Sequence, residues 1–139
     1  MDPERLKIIK IKDYKYWEVN LHENQAYLGR CVIWCKREGD VDFLDMTDEE
    51  KEEFWEIAEN LREALKKAFK QDRMNYAALA NVTNHLHIHV IPRYKDKRIF
   101  ENVEFKDERW GQNYVPYEDF KPEDELLIKI RDKIKSELK

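Results

Sequence analysis

The stretch NHLHIHVIPRY, residues 84–94, holds three of the chain's four histidines at alternate positions. On an extended strand alternate side chains share a face, so His85, His87 and His89 point one way while Leu86, Ile88 and Val90 pack the other way. Three chemistries compete for such a row. The plainest is a set of satisfied histidines, which requires three in register by accident. A metal site is the second, because imidazole suits zinc. Two neighbours could converge on one ion, yet the outer pair lies roughly 13 Å apart along the strand. Only His22, Cys31 and Cys35 remain as further ligands, and no Cys-x-x-Cys or His-Glu-x-x-His pattern supplies them. The third is covalent catalysis: a neutral imidazole near its ordinary pKa is a nucleophile toward phosphorus. Its neighbours could then hydrogen-bond substrate oxygens and supply a proton to the leaving group.

Such a row must be positioned by a sheet with one apolar and one polar side. Residues 16–23, YWEVNLHE, alternate Trp17, Val19 and Leu21 with Glu18, Asn20 and His22, the period of a half-buried strand. The turn ENQAYLG leads into a second strand, Arg30 to Lys36, and the two read as an antiparallel pair. Thr47-Asp-Glu-Glu50 is a capping box, and the apolar residues from Phe54 to Phe69 follow at helical spacing, predicting a helix over about 48–70. A strand candidate, MNYAALANV, precedes the histidine strand. Residues 96–121 read as irregular, a binding or dimer segment containing ERWGQNYVPYE. A C-terminal helix is expected over 122–139, with Leu127, Ile130, Ile134 and Leu138 on one side. The fold class is α+β, with a mainly antiparallel sheet, one long helix and a terminal helix.

Length and charge narrow the function. A chain of 139 residues reads as one domain. Its charged fraction is 40% but its net charge only −4, without the basic excess of a polymeric nucleic-acid binder. MDPERLKIIKIK has no uninterrupted apolar core, so neither a signal peptide nor a membrane span is expected. A cytoplasmic protein with two buried, reduced thiols at Cys31 and Cys35 is the expectation.

His85-Leu86-His87-Ile88-His89-Val90-Ile91 resembles the histidine triad motif of the HIT family of nucleotide hydrolases and transferases. Pro92-Arg93 looks like the branch that includes fragile-histidine-triad proteins and diadenosine polyphosphate hydrolases. The order of strands, turn glycine, long helix and triad strand is similar over about residues 15–95. The resemblance implies a HIT-like fold in which His87 attacks the α-phosphorus of a nucleotide. It implies that His85 orients His87, partly through a backbone hydrogen bond, and that His89 contacts the phosphate and assists the leaving group. It also implies ribose contact by Asn20 and phosphate contacts by Asn75, Asn81 and Thr83.

Two departures stand out. The family commonly has a fourth histidine after the turn glycine, where this chain has Arg30; an arginine there pairs with a phosphate or a carboxylate, or is a solvated strand residue. Trp110, with Gly111 and Asn113, suits a base-binding lid, a dimer contact or ordinary packing. The expectation is a phosphohydrolase or nucleotidyltransferase acting on a dinucleoside polyphosphate or a nucleoside phosphoramidate. It has no bound metal or cofactor, Mg2+ entering only as companion of a polyphosphate substrate. A homodimer is expected, and Trp55 offers the apolar surface. The alternative is a nucleotide-binding or metal-binding module without turnover.

Overall fold

Val19, Ile33 and Ile88 sit side by side on three neighbouring strands, none more than 2% exposed. Their burial is what the period-2 pattern demands: each branched side chain removed from water contributes about 1.5–3 kcal/mol. The computed structural model describes residues 2–115 and 120–139. Its elements are α1 (Pro3–Ile9), β1 (Lys10–Asp13), β2 (Trp17–Leu21), β3 (Cys31–Cys35), a 3-10 turn (Phe43–Asp45), α2 (Asp48–Phe69), β4 (Arg73–Ala77), β5 (His87–Arg93), β6 (Arg98–Phe100), β7 (Val103–Phe105) and α3 (Asp124–Glu137). Five strands form an antiparallel sheet in the order β1-β2-β3-β5-β4, and β6 pairs with β7 apart from it.

The apolar face of the sheet joins a core that includes Ile57, Leu61, Leu65 and Phe69 of α2 and Leu127, Ile130 and Ile134 of α3. Helix α2 starts where the sequence predicts. The Thr47 side chain accepts from the Glu50 N–H and the Glu50 carboxylate accepts from the Thr47 N–H, satisfying two donors that the first helical turn leaves unpaired. Glu50 also takes two hydrogen bonds from Arg37. That pair is the first cause of its pKa falling to about 2.

The opposite face follows from the same register. Glu18, Trp34 and His87 form one cross-strand row, and Asn20, Val32 and His89 the next. Cys31 and Cys35 point the other way and are buried and free.

Four local features depart from the sequence reading. The N-terminal residues form α1, capped by Asp2, and the edge strand β1; only Ile9 and Ile11 of this charged stretch are buried, too short a pattern to show periodicity. The strand expected through MNYAALANV stops at Ala77, and Ala80 takes a left-handed conformation, φ 51°. His85 lies just before the first laddered residue of β5 rather than within it. Residues 96–121 are not wholly irregular, because 98–105 form a hairpin turning on Glu101 and Asn102 at φ 50° and 63°. Positive φ at both central residues suits the twist of a two-residue hairpin, but with Glu in place of the usual Asn or Gly the signal is lost. Residues 116–119 of that segment lie outside the described residues.

Candidate active site

The turn between β2 and β3 delivers two groups to the histidine face. Gly29 has φ 86°, and a Cβ there would meet Leu65 Cδ2 at 2.9 Å and Phe69 at 3.1 Å. Glycine therefore serves both the left-handed backbone and the close approach of α2. The buried Gln25 amide donates to the His22 and Arg30 carbonyls, while its oxygen accepts from the Gly29 N–H. With the two strands pinned together at this point, His22 and Arg30 leave the sheet toward His89. The His22 and His89 rings lie 5.9 Å apart, and the His89 and His87 rings 5.0 Å apart.

Hydrogen bonds decide which nitrogen of each ring carries the proton. His87 Nδ1 is 2.6 Å from the His85 backbone oxygen. A carbonyl only accepts, so Nδ1 carries a proton, and in the neutral ring the lone pair is on Nε2. His85 Nε2 donates to the Cys35 oxygen at 2.5 Å. His22 Nδ1 accepts from the Asn24 N–H at 3.0 Å, which places its proton on Nε2. Arg30 Nη2 lies 3.4 Å from His89 Nδ1; a guanidinium only donates, so the His89 proton is also on Nε2.

Burial and charge act in the same direction on two of these rings. Burial, then Arg30 and then His87, holds His89 down at about 4. Burial, then Arg30 and His89, takes His22 down to about 3. Both are neutral donors at neutral pH. Arg30 itself is 2% exposed, and Tyr114 lies 5.7 Å from it. The corner is cationic and partly desolvated, an arrangement that attracts a phosphate. Among the described residues no three His, Cys, Asp or Glu side chains are grouped to hold a metal ion.

The other candidate residues fall in three places. Asn20 is on the histidine face at its β2 margin, donating to Glu18, with its own oxygen buried and without a described partner. Asn81 and Thr83 are exposed in the loop before His85. Asn75 and Trp110 sit at the far end of the face. Asn75 accepts from Arg93, four residues beyond His89, and Trp110 lies over Arg73 at 5.1 Å. Arg93 is bound by Asp107 through two hydrogen bonds and by the carbonyls of Arg109 and Gln112, so it fastens the 107–112 loop to β5.

His22, Gln25 and Trp34 are the site residues that sequence reasoning missed as such. The sequence offers His22 as a spare metal ligand, although the alternation of Glu18, Asn20 and His22 puts it on the polar face. Trp34 stacks on His85 at 4.3 Å and 8°, and lies 5.3 Å from the His87 ring.

A HIT domain family model matches residues 17–96, more than half of the chain. The chain belongs to the HIT family. The HIT domain and its flanking elements together superpose on a histidine triad protein from Sinorhizobium meliloti with TM-score 0.79 and 19% identity, over 99% of this chain and 96% of that one. A histidine triad protein from Marinobacter aquaeolei gives 0.77 and 20%, over 99% and 95%. Diadenosine triphosphate hydrolase from Plasmodium falciparum gives 0.66 and 17%, over 94% and 76%. These likenesses establish a HIT fold. No curated protein matches the chain.

Proposed function

We propose that this protein is a HIT-type hydrolase or nucleotidyltransferase in which His87 Nε2 attacks the α-phosphorus of a dinucleoside polyphosphate or a nucleoside phosphoramidate. One observation carries the reading: the bond from His87 Nδ1 to the His85 carbonyl leaves the nucleophilic lone pair on Nε2. His22 and His89, by contrast, present a protonated Nε2. In the first step the Nε2 lone pair forms an N–P bond, and the bond from phosphorus to the leaving oxygen or nitrogen breaks, its electron pair departing with that atom. In the second, water or another acceptor forms an O–P bond, its proton passing to solvent, while the N–P electron pair returns to Nε2. His89 donates from Nε2 to the substrate, Asn20 takes the ribose, and Arg30 supplies positive charge near the phosphates.

On this reading the protein is a single-domain cytoplasmic enzyme that acts as a homodimer and needs no resident metal, with Mg2+ only as companion of a polyphosphate. No helix among the described residues is long and apolar enough to cross a membrane. The deciding experiment is rapid alkaline quench with a labelled dinucleoside polyphosphate and an adenosine phosphoramidate, with and without chelator. An acid-labile, base-stable nucleotidyl adduct on wild-type protein that is missing from His87→Asn supports the reading. Binding without product or adduct from either substrate overturns it in favour of a binding module.

A further inference from the structure

Trp34 and Cys35 occupy the end of β3, opposite the point where the chain enters the histidine strand. Position 85 is not yet part of the β5 ladder, which begins at His87, and the exposed residues 81–84 precede it. Something other than the sheet must therefore hold it. Three contacts do, two on His85 and one on Leu86 beside it, and all come from two consecutive residues of β3. The Trp34 indole lies face to face with the His85 ring, 4.3 Å away and tilted by 8°. The Cys35 carbonyl accepts from His85 Nε2, and the Cys35 N–H donates to the Leu86 carbonyl at 3.1 Å. The same His85 whose ring is clamped in this way supplies the backbone carbonyl that takes the proton of His87 Nδ1. The indole also faces His87 itself, at 5.3 Å and 29°.

We infer that Trp34 is a positioning residue for the nucleophile: it fixes the His85 ring, and through the His85 carbonyl it fixes the tautomer and direction of His87 Nε2. The inference rests on the reading in which His87 attacks phosphorus. Nucleophilic attack tolerates little misplacement, an error near 1 Å costing on the order of 100-fold. Trp34 is half-buried rather than a core residue, so an apolar replacement leaves the fold in place. The planar face, not the bulk, does the positioning, and a phenyl ring restores much of it.

Steady-state kinetics of Trp34→Leu, Trp34→Phe and His85→Ala, alone and combined, test this. Trp34→Leu is expected to lower kcat by about 10–100-fold with KM changed by less than about 3-fold, the signature of an interaction used in the transition state rather than in uniform binding. Trp34→Phe should recover most of the loss. In a His85→Ala background Trp34→Leu should cost less than about 2-fold, because residues acting through one contact are not additive. Full additivity with His85→Ala, a loss confined to KM, or no loss at all overturns the inference. Quench of the wild type separates the two questions. A wild type that forms no adduct defeats the nucleophile reading, whereas an adduct in the wild type with additive variants defeats only the role of Trp34.

Discussion

The guanidinium of Arg30 and the ring of His89 meet at 3.4 Å on the polar face of the sheet. Burial first, and then the cation that opposes a second proton on Nδ1, holds the His89 pKa at about 4. Burial first, then Arg30 and His89, with Lys121 adding a little more positive charge, takes His22 down to about 3. An unfolded histidine titrates near 6.5, so between about 6.5 and these folded values the unfolded chain binds protons that the folded chain refuses. Stability is therefore full above about pH 6.5 and falls as the pH drops.

The melting temperature followed from pH 7 to pH 5, a window largely above carboxylate titration, should decline. Its slope should be smaller in a His22→Asn, His89→Asn double variant. An unchanged slope would show that these two rings do not titrate as the geometry requires.

Replacing His87 with Asn should leave the fold intact, since Leu86, Ile88 and Val90 make the core contacts of that strand. Turnover should fall by several orders of magnitude while nucleotide binding persists. His85→Ala and His89→Ala should cost less, about 10²–10⁴-fold, the range for orientation and proton transfer. Near-normal turnover by His87→Asn would end the covalent mechanism.

Arg30→Ala should raise KM more than it lowers kcat, since a buried cation beside His89 acts on the phosphates in ground and transition state alike. Trp110→Ala should likewise raise KM more than it lowers kcat, its ring standing beside Arg73 at the end of the face. Unchanged constants for Trp110→Ala would return its ring to ordinary packing.

The Arg93–Asp107 pair is almost completely buried, its two side chains 4% and 0% exposed. Asp107→Ala leaves a guanidinium without its carboxylate inside the protein, so urea unfolding should show a loss of about 3–5 kcal/mol. A loss under about 1 kcal/mol would mean that the two carbonyls bound to Arg93 suffice to hold it.

Trp55 is 67% exposed and borders a groove of about 340 Å³ with Phe43, Phe54 and Tyr76, beside the edge strand β4. The proposed homodimer covers this surface. Sedimentation at micromolar concentration should give a dimer for the wild type and a monomer for Trp55→Glu. A monomeric wild type would remove the proposal.

Sequence alone determined the elements whose signals are local. Alternation in β2 and β5, the Thr47–Glu50 box and the 3.6-residue row of α2 each arise from neighbours a few residues apart, and the triad declares itself by composition and spacing. Only the tertiary structure decided what meets the triad. His22 and Arg30 reach His89 because Gln25 and Gly29 shape one turn, and Trp34 reaches His85 because the β3–β5 register places it there. Asn75 stands at the Arg93 end through the β4–β5 register, and Trp110 through the loop that Arg93 fastens. Register between strands distant in the chain is set by packing of the whole apolar face, and a shift of one residue in a strand would send its side chains to the other side. That choice depends on the sum of many contacts, which no local stretch of the sequence contains.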